Sequence, residues 1–382
     1  MESTVEYISY LLLLLFVIYF RQITFFYRGL SRLTTGSNRQ VNSITVIVPA
    51  RNEERNIEHC LTSLMLQSYP KDKLSIIVID DQSTDRTSEI VRSLIDRSPF
   101  PITLLQSDIT STIRSPKIRA MSLGIQHSLS DIILTTDADC TVRPEWVSTI
   151  NSYFEEGVGI VTGVTVYTQR FDRSPMFYGI QFLDFISYTA IAASAIGMGR
   201  VLVSNGSNMA FRIHAFDESG GFDTLAHINT GDDSLLAQKI VANGRWKARF
   251  AFDDHAVVRT HPVSSWSEVF HQRMRWVGQT AYYPQYMMFF MISMFIMYLL
   301  LAVSIPLSFM YGTLIPWGVV VGVFFIDYLF MRKFTLLTNT ADAMRYFFPT
   351  ALIHIPFVLI STIGGYFFSF RWKDRRMSKE SR

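Results

Sequence analysis

Two carboxylates one residue apart, Asp137-Ala138-Asp139, follow the apolar run Ile132–Thr135. Paired acids at that spacing can share one hard divalent cation, because oxygen ligands suit Mg²⁺ or Mn²⁺. Such a cation would neutralise a diphosphate and stabilise it as it departs. A solvated turn with two acids is the plainer reading of D-x-D alone; its place directly after a buried strand favours the metal. A second acidic cluster, Asp80-Asp81-Gln82-Ser83-Thr84-Asp85, also closes an apolar run. Ser and Asp favour helix starts and turns, and Asp85 fits that use. Asp81, with Asp80 beside it, stands where a nucleobase or ribose would dock, and a carboxylate there can accept from a uracil N–H.

Thr230-Gly231-Asp232-Asp233 precedes a helical pattern with Leu235, Leu236 and Ile240 on one face. Acids at a helix N-terminus stabilise its dipole; alternatively one of this pair is a general base for an acceptor hydroxyl. Gln272, Arg275 and Trp276 fall on one face of a helix by their i, i+3, i+4 spacing. Arginine suits a diphosphate and tryptophan offers a flat face to a sugar, while a juxtamembrane helix with basic and aromatic anchors has the same composition. The chain lacks G-x-x-x-x-G-K-[ST], G-x-G-x-x-G and H-E-x-x-H, so its sequence gives no support for nucleotide hydrolysis, dinucleotide redox or zinc hydrolysis. Asn205-Gly206-Ser207 matches a glycosylation sequon that a cytoplasmic position leaves unused.

The elements that must position these groups alternate. Ile44–Val48, Leu74–Ile79, Ile102–Leu105 and Ile132–Thr135 read as buried strands, with helical patterns over 53–66, at Ile90, Val91, Leu94 and Ile95, and over 118–129 between them. Alternation of this kind predicts a mostly parallel sheet covered on both faces. Ligands in such sheets bind beyond the carboxyl ends of the strands. Ala50-Arg51-Asn52-Glu53, Asp80-Asp81 and Asp137-Ala138-Asp139 all stand at those ends.

The chain of 382 residues is 49% hydrophobic with 30 Phe, and the apolar excess gathers at its two ends. Residues 7–20 form an uncharged run that reaches spanning length with its flanks. Glu2 and Glu6 precede it and Arg21, Arg28, Arg32 and Arg39 follow, so the positive-inside rule places what comes next in the cytoplasm. Further spans are expected near 286–310, 314–331 and 346–370. The division is then 1–40 as anchor and basic linker, 41–283 as an α/β domain, and 284–382 as helices with a basic tail. Two signals conflict at the end: four crossings from an outside N-terminus leave Arg371-Trp372-Lys373-Asp374-Arg375-Arg376 outside, against its charge. Met176–Met198 holds Asp184 and small residues and reads as an interfacial helix. Asp327 is expected as a boundary charge reaching water or Arg332, with a proton relay as the alternative. A net charge of +3, nearly balanced, gives no basis for nucleic-acid binding. Cys60 and Cys140, far apart, suggest neither a disulfide framework nor a metal site.

Taken in chain order, several stretches resemble the inverting family 2 glycosyltransferases. They are Val46–Glu53, Ile79–Thr87, Thr136–Cys140, Gly206–Phe211, Gly220–Asp223, Gly231-Asp232-Asp233 and Gln272-x-x-Arg275-Trp276. The resemblance spans about residues 44–280. It implies the GT-A (Rossmann-like) fold and a nucleotide-sugar donor, UDP-linked, held by Pro49, Ala50, Arg51, Asn52, Glu53, Asp80, Asp81 and Asp137. It also implies a divalent metal (Mg²⁺ or Mn²⁺) on Asp137 and Asp139, and Asp233 as base beside Asp232. Gly206, Asn208, Gln272, Arg275 and Trp276 would border the diphosphate and acceptor. The family often has Lys-Gly where this chain has Lys117-Ile118-Arg119, and Glu-Asp where it has Asp232-Asp233.

Inverting transfer of one hexose to a lipid or lipid-linked acceptor, by an integral protein of the plasma membrane with its catalytic domain in the cytoplasm, is the expected activity. A processive polysaccharide synthase is the enzymatic alternative, disfavoured by the small number of helices available for a channel. A scaffold that has lost the reaction is the non-enzymatic one, and every motif acid is present.

Overall fold

The computed structural model describes residues 2–107, 115–168, 174–223, 232–277, 283–367, 370–372 and 375–377. Thr230 and Gly231, the side chain of Asp232, Lys373 and Asp374, and the side chains of the remaining tail residues lie outside the described set. The elements begin with α1 (Glu2–Leu30), β1 (Ile44–Ala50), α2 (Ile57–Met65), β2 (Leu74–Asp80), α3 (Thr87–Ile95), β3 (Ile102–Gln106), α4 (Pro116–Gln126) and β4 (Ile132–Thr135). Next come α5 (Trp146–Ser152), β5 (Val158–Gly163), β6 (Thr165–Tyr167), α6 (Pro175–Gly197), β7 (Met209–Arg212), α7 (Ile213–Glu218), α8 (Asp232–Ala242), β8 (Lys247–Ala251) and β9 (Val258–Thr260). The chain ends with α9 (Trp266–Val277), α10 (Gln285–Tyr311), α11 (Ile315–Leu337), α12 (Phe347–Phe367) and the hairpin β10 (Phe370–Trp372) and β11 (Arg375–Met377).

Two compact units divide the chain: Leu33–Arg170 with Ile191–Pro262, and Met1–Arg32 with Phe171–Ala190 and Val263–Ser381. The first is built on a seven-stranded sheet in the order β3-β2-β1-β4-β7-β5-β8. The pairs β3–β2, β2–β1 and β1–β4 are parallel, as the alternating pattern predicts; β7 then enters antiparallel between β4 and β5. Ala50 pairs with Asp80, Asp80 with Gln106, and Ile47 with Thr135, so the polar stretches following β1, β2 and β4 leave one edge of the sheet together. Val46, Val48, Ile76, Val78 and Leu134 are fully buried, and they pack with Ile57, Leu61 and Leu64 of α2. Burying each such side chain is worth about 1.5–3 kcal/mol. On the other side α4 approaches closely because Gly124 has no side chain. A Cβ there would lie 2.9 Å from Ile79 Cδ1 and 3.0 Å from Ile47 Cδ1.

The second unit is helical. Val5–Leu30, Pro175–Gly197, Gln285–Tyr311 and Ala341–Phe367 are long and apolar enough to cross a membrane. The apolar window of Pro175–Gly197 is 78% buried inside the protein, against 28%, 33% and 11% for the other three, so α6 spends its apolar residues on protein packing. Its Asp184 is buried and receives Nε and Nη2 of Arg273 from α9. α11 is equally apolar in its first part, with Asp327 inside it. That carboxylate does not turn to Arg332: Tyr19 of α1 donates to Asp327 Oδ1 at 2.6 Å, joining two helices.

Candidate active site

The loops after β1 and β2 interlock. Asn52 adopts a left-handed φ of 52°. Its Oδ1 accepts from the Thr84 backbone N–H at 2.8 Å, and its own N–H donates to Ser83 Oγ at 3.0 Å. Glu53 is buried, its N–H donating to Thr87 Oγ1 and its carboxylate accepting from Asn56 Nδ2 at 2.7 Å. Asp80 and Asp81 therefore stand side by side with different partners. Asp80 Oδ1 accepts from the Ser83 N–H at 2.8 Å, and Oδ2 from Ser88 Oγ and, at 3.1 Å, from Gln106 Nε2. Burial alone would raise the Asp80 carboxyl; the hydrogen bonds from Ser83, Ser88 and Gln106 outweigh it and hold the group below its ordinary value. Both oxygens of Asp80 thus serve the loop.

Asp81 faces cations. Arg119 of α4 donates to its Oδ1 at 2.7 Å, joined there by Ser107 Oγ at 2.6 Å. Arg51 Nη1 lies 3.5 Å from Oδ2 and donates to the Asp81 carbonyl at 2.9 Å. α4 begins properly, with Ser115 accepting from the Ile118 N–H and Pro116 at its first position. Lys117 and Arg119 then sit in its first turn, where the helix dipole disfavours cations. Acids balance both. Arg119 holds Asp81, and Lys117 Nζ lies 3.4 Å from Asp137 Oδ1.

Asp137, Asp139 and Cys140 bring one ligand atom each to within 4.8 Å of one another. Two carboxylate oxygens so close suit a hard divalent ion. The thiol is the odd member of that set, because a soft sulfur ligand suits Mg²⁺ or Mn²⁺ poorly beside carboxylate oxygens. A divalent ion therefore fits on the two aspartates.

Asp233 opens α8. Its Oδ2 accepts from the Gly206 N–H at 2.7 Å and its Oδ1 from the Ser234 N–H at 2.8 Å, which fixes the carboxylate in one orientation. Lys117, Met121, Thr135, Gly206, Met209, Phe222 and Asp233 line one small pocket. Gly206 keeps this space open: a Cβ would come within 2.7 Å of Lys117 Nζ and 3.1 Å of Asp233 Oδ2, so it would displace the ammonium. Acids from three separate stretches of chain are in this way linked through α4. Asn208, by contrast, is fully buried; its amide donates to the Val164 and Ala256 carbonyls, both at 2.8 Å, and accepts from Trp146 Nε1 at 3.1 Å. It braces the loop that carries Gly206. Asn205 caps the same turn, its side chain accepting from Ser207.

Gln272, Arg275 and Trp276 lie on α9 in the helical unit. Gln272 is buried and accepts from Arg273 Nη1 at 3.1 Å, and the Arg273 guanidinium sits 4.0 Å from the Trp276 ring centroid. Tyr188 of α6 meets Trp276 edge-on at 5.0 Å. Arg273 was not singled out by the spacing argument, yet it is the residue that ties this motif to Asp184.

The model of glycosyl transferase family 21 matches residues 10–375, nearly the whole chain. The chain belongs to glycosyl transferase family 21. Glycosyltransferase AglE of Haloferax volcanii is 26% identical over 241 residues, 61% of this family 21 chain and 71% of that protein. The 4,4'-diaponeurosporenoate glycosyltransferase of Staphylococcus aureus is 36% identical over 134 residues, 34% of this chain and 33% of that one. Among solved structures, the mannosyltransferase PcManGT of Pyrobaculum calidifontis, in complex with GDP-Man and Mn²⁺, superposes with a TM-score of 0.61 at 20% identity, covering 90% of this chain and 99% of that one. The glycosyltransferase class and the GT-A fold expected from the motifs both hold, and the matching family is 21 where the motifs resemble family 2. Motif reading named Lys117 and Arg119 only as a departure from the family's Lys-Gly, and it did not name Ser107, which joins Arg119 on Asp81. Two cations in the first turn of a helix facing acid-bearing strand ends were the signal available.

Proposed function

We propose that this protein takes a hexose from a nucleoside-diphosphate donor, UDP-linked, and attaches it with inversion to a lipid or lipid-linked acceptor at the cytoplasmic face of a membrane. The observation that carries this reading is Lys117, which pairs with Asp137 and lines the pocket of Asp233, and this supports assigning the cation, the metal-type acids and the base-type acid to one centre. Asp81, set by Arg51 and Arg119, accepts from an N–H of the base. The loop from Pro49 to Glu53 and the start of α4 border the donor.

A divalent ion on Asp137 and Asp139 would neutralise the departing diphosphate. Lys117 adds a fixed positive charge beside it. Asp233 takes the proton of the acceptor hydroxyl; that oxygen bonds to the anomeric carbon as the bond to the diphosphate oxygen breaks, and a single displacement inverts the centre. Gln272, Arg275 and Trp276 serve the acceptor in this reading, with Arg273 holding the Trp276 ring. Support for the donor class comes from the sugar nucleotide and Mn²⁺ named for PcManGT. The apolar acceptor named for the S. aureus enzyme supports a lipid, and the apolar helices support a membrane. Membranes carrying the protein, incubated with a panel of labelled nucleotide sugars, test it: one glycolipid of inverted configuration is expected. A ladder of polymer, or a product of retained configuration, contradicts it.

A further inference from the structure

α12 is long and apolar enough to cross a membrane, yet its neighbours within the helical unit place it differently. Phe347 meets Tyr328 edge-on at 5.2 Å and Phe348 meets Phe324 at 6.4 Å, both on α11. At 1.5 Å per residue, Phe324 lies about 20 Å along α11 from its Leu337 end. Further along α12, His354 meets Tyr298 of α10 edge-on at 5.8 Å, and Tyr298 lies about 20 Å from the Gln285 start of that helix. α10 and α11 are joined by a short turn at Gly312, so Gln285 and Leu337 are on one side. Tyr328 lies about 14 Å along α11 on the same count, so between Phe347 and His354 α12 changes depth by about 6 Å, less than the roughly 10 Å a crossing helix covers over those residues.

Its second half returns toward the side from which it came. Phe357 packs on Phe270 of α9 at 4.8 Å, and a Cβ on Gly364 or Gly365 would meet Met274 at 3.3 Å or Val277 at 2.8 Å. α9 thus runs beside α12 in the same direction, and β10 lies against α9 as well. α9 carries Glu268, His271, Gln272, Arg273 and Arg275. A charged side chain at the bilayer centre costs about 2.5–3.5 kcal/mol or more. A crossing α12 would draw this polar helix through the hydrocarbon with it. Meanwhile Leu352, Ile360, Ile363 and Phe367 form one exposed apolar stripe, and Phe357, Ser361, Gly364 and Gly365 opposite them are covered by protein. That is the pattern of a helix seated along an interface.

We propose that α12 does not cross the bilayer: it enters and leaves by the side of the central domain and seats its bare face among the acyl chains of that leaflet. Only α1, α10 and α11 then cross, and the basic tail returns to the side of Arg28, Arg32, Arg332 and Lys333, which removes the charge conflict in the sequence. The proposal rests on the reading of the chain as a membrane glycosyltransferase. Single cysteines at Asn243→Cys, Leu314→Cys and Ser381→Cys in the full chain, probed with a membrane-impermeant maleimide in sealed vesicles of both orientations, test it. Native Cys60 and Cys140 are buried and give no background. Asn243→Cys and Ser381→Cys are expected to label from one side and Leu314→Cys from the other. Ser381→Cys labelling together with Leu314→Cys would overturn the proposal. Alkaline phosphatase fused behind Arg382 of the unsubstituted chain repeats the comparison: it is expected to be inactive when the Asn243 side is cytoplasmic, and activity there also overturns the proposal. Which side Asn243→Cys occupies tests the cytoplasmic reading separately, so either idea can fail alone.

Discussion

Lys117 places its ammonium 3.4 Å from Asp137 Oδ1 while lining the pocket of Asp233, so one side chain on α4 joins the acids of β4 and α8. Glycine at 124 lets α4 come close enough to the sheet for this, and glycine at 206 leaves the space into which Lys117 reaches.

Replacing that ammonium is expected to weaken donor use rather than folding. A charge-assisted hydrogen bond is worth about 1.5–3 kcal/mol, so Lys117→Met should lower kcat/KM for the sugar nucleotide by roughly 10- to 150-fold. Steady-state kinetics on purified protein measures it, with circular dichroism as the folding control. Unchanged kcat/KM would remove Lys117 from the site.

The divalent ion is expected to depend on oxygen ligands alone. Chelation should abolish transfer and added Mn²⁺ or Mg²⁺ restore it, and Asp137→Ala or Asp139→Ala should lose the rescue. Cys140→Ser should keep it, because hard divalent ions take oxygen ligands in preference to sulfur. Loss of metal rescue in Cys140→Ser would make the sulfur a ligand.

Asp80 is expected to act on stability. Its folded-state value lies below the ordinary one, so its contribution is complete above the unfolded pKa of about 4 and is lost as pH falls through the folded value. Asp80→Asn should destabilise the protein by about 1.5–3 kcal/mol at neutral pH, in keeping with hydrogen bonds to a charged group. The penalty should shrink below pH 4. Thermal unfolding in detergent against pH reads both, and a pH-independent penalty would contradict the assignment.

The Asp184–Arg273 pair is buried, and removing one partner leaves the other uncompensated at a cost of about 3–5 kcal/mol. Asp184→Ala and Arg273→Ala should each lower the melting temperature sharply, and the double variant should lose less than the sum of the two. Additive losses would mean the pair is not coupled.

The parallel strands and their buried runs were legible because β-branched residues in short stretches leave few other structures open. The gathering of Asp80, Asp81, Asp137 and Asp139 was legible too, since these follow strand ends in one sheet, whereas Asp233 comes from the start of α8. Other features depended on distant packing. Asp80 and Asp81 look alike in sequence, and distant partners separate them: Ser88 and Gln106 on one side, Arg119 and Ser107 on the other. Asn208 read as an acceptor contact and is a buried brace. Asp327 read as a boundary charge, because no local pattern reveals a tyrosine from the far end of the chain.

Asp233 gives the most direct measurement of the central claim. Titrating the nucleotide-sugar donor into Asp233→Asn in the presence of Mn²⁺, and following transfer in the same preparation, separates binding from proton removal. Donor affinity should stay within a few-fold of the native protein while turnover falls by about 10²–10⁴ or more, the share carried by a general base. Native turnover in Asp233→Asn would contradict the account.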